Sequence, residues 1–109
     1  MTTITEDFVS FETAKLLKEK NCPDFGYSCI CDSEGNKAQT QSIIMKWLRE
    51  KYNLFIQITV DFSDSAYPMY DVCVVDLARC TSIVVNGYNR YTYTQACEIA
   101  IKYCLENLI

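Results

Sequence analysis

The chain has 109 residues, half of them apolar and 22% charged, with a formal net charge of −4. That is enough for one buried core, too short for two ordinary domains and too apolar for a disordered segment, so a single domain over residues 1–109 is expected. Fourteen acids against ten bases disfavour a nucleic acid as partner, and no apolar run approaches the ~20 residues that cross a bilayer, which speaks against a membrane partner too.

The first seven residues carry acid where a secretory signal carries base, which predicts a cytoplasmic protein. Seven cysteines without an export signal, an odd number, read as reduced thiols. Ser10 then has the chemistry of an N-cap, and residues 11–20 form a predicted helix with Phe11, Ala14 and Leu17 as its apolar stripe. Asn21 and Pro23 end it.

Residues 27–38 alternate around Ser-Glu-Gly-Asn-Lys turn chemistry and predict a short β-hairpin. Thr40 caps a second helix over 41–52, with Ile44, Trp47, Leu48 and Tyr52 on one side and Asn53 as its stop. Residues 54–62 have the cleanest strand pattern: Leu54, Ile56, Ile58, Val60 and Phe62 face the core, and Phe55, Gln57, Thr59 and Asp61 face away. A loop at 63–66 leads to a second strand over 70–77, with Cys73, Val75 and Leu77 on one face and Val72 and Val74 on the other, placed centrally in the sheet.

A third strand over 82–85 ends at Asn86-Gly87, a strong turn signal. Thr92 and Gln95 have capping-box spacing, and the helix they open runs to about residue 108, burying Cys97, Ala100, Ile101, Cys104 and Leu108. The predicted order is α-β-β-α-β-β-β-α: an α+β fold in which a β-hairpin and a three-stranded antiparallel meander are covered by three helices.

Three segments, FVSFETAKLLKEK (8–20), TQSIIMKWLRE (40–50) and ACEIAIKYCLENLI (96–109), together resemble short uncharacterised proteins encoded by phages and prophages of gut bacteria. The resemblance implies a phage or prophage setting and a site of action in the bacterial cytoplasm. It implies no activity and no site residue.

With no histidine, the usual general base, the Ser-His and Cys-His pairs and the commonest metal ligand are all missing. Three glycines, at 26, 35 and 87, cannot spell a phosphate loop or a dinucleotide fingerprint. No catalytic residue and no cofactor is therefore assigned. Cys22, Cys29 and Cys31, with Cys73 or Cys80 as a fourth ligand, have the wrong spacing for a zinc site, and Cys29 and Cys31 read instead as buried thiols on one strand face with Tyr27. Cys97 and Cys104 read as core, and Cys80, beside Arg79, as structural.

Asp32-Ser-Glu-Gly-Asn lacks the repeated acids of a calcium loop and reads as a turn. Asp61, Asp64, Asp71 and Asp76 read as solvated strand ends. Tyr67, Tyr70, Tyr88, Tyr91 and Tyr93, with Asn89 and Arg90, crowd the loops of the meander. Tyrosine and arginine are typical of interface hot spots, so Tyr67, Tyr70, Tyr88, Arg90 and Tyr91 form the candidate interaction surface, against the alternative that they cap the sheet edge. The expected function is protein binding, with an unidentified protein or a second copy of the chain as partner. The alternatives are a nucleic-acid-binding module that stacks bases on its aromatics and, behind it, a cysteine metal site.

Overall fold

Each helix starts where a hydroxyl accepts from a backbone N–H three residues on. Ser10 accepts from Thr13, Thr40 from Ile43 and Thr92 from Gln95, and the Gln95 side chain returns a bond to the Thr92 N–H to complete a capping box. The computed structural model describes residues 7–61, 69–85 and 92–109. Its elements are α1 (Phe11–Glu19), β1 (Cys29–Cys31), β2 (Lys37–Gln39), α2 (Gln41–Tyr52), β3 (Leu54–Asp61), β4 (Met69–Asp76), β5 (Thr81–Val84) and α3 (Tyr93–Tyr103). This is the α+β class and the element order that the sequence predicts, with β1 and β2 in one antiparallel sheet and β3-β4-β5 in another.

Helix α1 stops by a Schellman arrangement. Asn21 adopts the left-handed conformation at φ 60°, its N–H reaches Lys18, and the Cys22 N–H reaches back to Leu17. Cys22 and Leu17 are the two apolar side chains that such an ending brings together, and both join the core region. Asn53, at φ 57°, ends α2 in the same left-handed way, and its carbonyl accepts from Leu77 beyond β4.

In the larger sheet, β4 is central as expected, pairing Val74 with Ile56 on one side and with Ile83 on the other. Because side chains alternate along a strand, this register assigns Leu54, Ile56, Ile58, Tyr70, Val72, Val74 and Ile83 to one face. Phe55, Gln57, Thr59, Met69, Asp71, Cys73, Val75, Ser82 and Val84 take the other. Helix α3 packs on the first face, where Val72 and Val74 are buried beneath Cys97, Ala100, Ile101 and Cys104. The small side chains of Ala96 and Ala100 let the helix lie close. Helix α2 packs beside β3, and Ile44, Trp47 and Leu48 close that end of the core. The shortest extent of the molecule, 23 Å, is that of one helical layer on one sheet, each about 10 Å thick.

Four local expectations are corrected. Cys31 is exposed and Cys29 only half-buried, because the register pairs them with Lys37 and Gln39 on the solvent side of the hairpin while Ala38, on the other side, takes the core position. Strand β5 begins and ends one residue early: Thr81 pairs with Asp76, and Val85 turns inward, buried, with its N–H on the Val72 carbonyl. Leu77 belongs to the exposed turn after β4 rather than to the strand. Helix α3 widens into a π-helical turn, Cys104–Leu108, where the Asn107 amide bonds the Tyr103 carbonyl at 3.2 Å and so competes with the regular ladder.

Candidate functional site

Of the five residues proposed as an interaction surface, Tyr67, Tyr88, Arg90 and Tyr91 lie outside the described residues, as do Asp64 and Asn89. Tyr70 is described. It sits on the helix-covered face of β4, half-buried, with its ring edge-to-face against Tyr93 at 5.5 Å between centroids. It therefore joins β4 to the first turn of α3, and Tyr93 remains largely exposed at that corner. The neighbouring Cys97 thiol and partial burial push the Tyr93 hydroxyl above its ordinary value.

The face of the sheet away from the helices has no element packed on it among the described residues. Val84 is 67% exposed and Phe55 40%, with half-buried Val75 and Cys73 between them. Register makes them neighbours: Phe55 stands opposite Val75, and Cys73 opposite Val84. Among the described residues strand β5 is an edge. Since the Val85 N–H points to β4, Ser82 and Val84, of opposite parity, turn their backbone groups outward. Sequence reasoning put Phe55 on the outer face and set Cys73 and Val75 apart from Val72 and Val74, but it gave Val84 no face and singled out the tyrosines rather than this strip, since Phe55, Val75 and Val84 look like ordinary strand residues until the helices are seen to lie on one side only.

The cysteines do not converge. All seven are free thiols, and no group of three or more Cys, Asp or Glu among the described residues could hold a metal ion. Burial pushes the Cys22 thiol up to about 11 and the Cys104 thiol up to about 12, and it raises Cys97 as well. A nucleophile or metal ligand requires the opposite shift, so these three are packing residues. Cys80 is exposed in the β4–β5 turn, in the left-handed conformation at φ 56°.

The carboxylates likewise have local partners. Asp32 accepts from the backbone of Glu34 and Asn36 and from the Asn36 amide, at 2.8 to 3.0 Å, bonds that hold its carboxyl below the usual range. It is a turn residue, as predicted. Asp76 accepts from the N–H groups of Ala78 and Arg79 at the start of the next turn. Asp71 and Asp76 have opposite parity on β4 and are five residues, about 17 Å, apart, so they make no acid-base pair.

One carboxylate stands apart. Glu98, on α3, accepts through Oε1 from the Ser10 N–H at 2.9 Å and from the Thr13 hydroxyl at 2.7 Å, while Thr13 is fully buried. In an ordinary capping box the third helical residue would satisfy the Ser10 N–H, but Thr13 is too short to reach back. Glu98 supplies that bond from another helix and places a negative charge at the positive end of α1. Its Oε2 is buried and has no hydrogen-bond partner among the described residues. Glu98 lines a cleft of about 370 Å³ together with Phe8, Ser10, Gln41, Thr94, Gln95 and Ile99. Gln41, itself buried, donates to the Thr94 carbonyl at 3.0 Å, and the Thr94 hydroxyl donates to Asp7 at 2.9 Å. Nothing in the sequence marked Glu98, since its partners lie 85 and 88 residues away.

Among the described residues no helix is long and apolar enough to cross a membrane. Compared with family models, with curated proteins and with solved structures, the chain matches none.

Proposed function

We propose that the chain is a small non-enzymatic accessory protein of a phage or prophage, working in the cytoplasm of its bacterial host by binding another protein. The observation that supports the reading is the uncovered face of the β3-β4-β5 sheet, where Phe55, Val75 and Val84 form an apolar strip beside an open strand edge. Apolar strips rimmed by polar residues mark interaction sites, and here Gln57, Thr59 and Ser82 provide the rim. The phage setting rests on the resemblance of the three helical segments. Seven cysteines without a disulfide between them suit a reducing compartment.

The test is affinity capture of the full chain from infected cells, followed by quantitative mass spectrometry of what is retained. A partner held at near-stoichiometric level and reduced at least tenfold by Val84→Asp is expected. Absence of any such partner, or one indifferent to Val84→Asp and Phe55→Asp, argues against the reading. A band shift with single-stranded nucleic acid at low salt that Phe55→Asp removes would favour base stacking on the same face instead.

A further inference from the structure

The cleft beside Glu98 is distinct from the sheet strip and is built of different chemistry. Its walls are apolar, with Phe8 and Ile99 the largest side chains, and among the described residues no Lys or Arg lines it. Its polar end carries a carboxylate with one oxygen already accepting two hydrogen bonds and the other buried without a donor among the described residues. A buried carboxylate oxygen without a donor is an unusual feature of a folded protein and invites a charged hydrogen-bond donor. The nearest cation on the same helix, Lys102, is held by Glu12 at 2.7 Å. Asp7, through Thr94, adds a second negative charge nearby.

We propose that this cleft receives the guanidinium of an arginine side chain presented by a protein partner. An aliphatic stem suits the Phe8 and Ile99 walls. A guanidinium suits the carboxylate better than an ammonium does, because it is more weakly hydrated and can lie flat against the Phe8 ring. Both carboxylate oxygens turn together about the soft terminal torsion of glutamate, so a modest rotation brings Oε2 toward a donor, and the Oε1 bonds to Ser10 and Thr13 adjust with it. The proposal rests on the reading of the chain as a binding protein but not on the sheet strip as its surface. It gives that reading a specificity: a basic residue must reach the α3 side of the molecule.

The test uses the isotope-labelled full chain, titrated by NMR at low salt with n-propylguanidinium, n-propylammonium and the neutral n-propylurea. Saturable shifts of the Phe8, Gln95 and Ile99 amides are expected with the guanidinium, with binding by the urea at least tenfold weaker and by the ammonium intermediate. Glu98→Gln keeps an oxygen for Ser10 and Thr13 but turns the free position into a donor, and it should remove the preference while the fold, read from the remaining signals, persists. A tripeptide with a central arginine should outbind its citrulline counterpart by the same order. Equal response to the urea, no response at all, a stronger response to the ammonium, or an unchanged preference in Glu98→Gln would each overturn the assignment. Because the Phe55 and Val84 signals report the sheet separately, capture lost in Val84→Asp with an intact cleft titration, or the converse, tells which of the two readings has failed.

Discussion

The two faces of β4 have nearly the same side-chain chemistry and opposite fates. Val72 and Val74 lie buried under α3, whereas Cys73 and Val75, one residue along in each case, share the uncovered side with Phe55 and Val84. Sequence composition does not distinguish them. What does is the placement of the described helices that pack on this sheet: α3 crosses it on one side and α2 closes its end. The same apolar residue type thus serves stability on one side and is free for recognition on the other.

The largest effect that would break this contrast is a charge introduced on each face. Val74→Asp buries an unpaired carboxylate and is expected to cost more than about 3 kcal/mol, enough to unfold much of the population, while Val84→Asp should stay within about 0.5 kcal/mol. Urea denaturation followed by circular dichroism measures both, and equal losses would mean that the outer face is also core.

A middle-sized effect comes from Cys104, packed on the covered side. Its folded value of about 12 exceeds that of an unfolded thiol, so the unfolded chain gives up its proton first as pH rises. Stability is therefore fully present below about pH 8.5 and falls above it, by at most about 1.4 kcal/mol per pH unit, until the folded thiol itself titrates. Denaturation midpoints between pH 8 and 10.5, compared with those of Cys104→Ala, isolate this slope. A parallel pair of curves would show that the thiol titrates freely. The smallest effect concerns the turn from which the exposed edge strand hangs. Cys80 occupies a left-handed position that glycine adopts without steric cost, so Cys80→Gly should stabilise by about 0.5 to 1 kcal/mol in the same assay, and a loss would show that its thiol packs.

Features fixed by neighbours in sequence were legible in advance. Ser10, Thr40 and Thr92 cap their helices through bonds spanning three residues, and Asn21 and Asn53 adopt the left-handed turns that asparagine tolerates. The alternation gave the correct inner side of β3 from Leu54 to Ile58, whereas Val60, expected on the core as well, is 45% exposed, and Phe62 lies outside the described residues. What depended on distant partners was not legible. The side of the hairpin bearing Cys29 and Cys31 follows from Ala38 taking the core position; the widening after Tyr103, by contrast, coincides with a local bond, from the Asn107 side chain to the Tyr103 carbonyl, that the periodicity did not flag. The uncovered strip and the Glu98 cleft both follow from where the helices dock, which no local pattern encodes. Four of the five predicted surface residues lie outside the described segments, and the fifth, Tyr70, contributes a ring contact with Tyr93 beneath the helix layer.

The bond from Glu98 to the Ser10 N–H also has a consequence for how the molecule assembles. Synthesis makes α1 first, yet the group that finishes its leading turn arrives 88 residues later. Closing a loop of that length costs about 4 kcal/mol of chain entropy, which two charge-assisted hydrogen bonds at about 1.5–3 kcal/mol each do little more than match. The closure must therefore come together with the burial of Ala100, Ile101 and Cys104 against the sheet. Non-local closure of this kind slows folding and favours all-or-none completion, so a nascent chain not yet extended to residue 98 would hold its first helix only as a frayed, provisional turn.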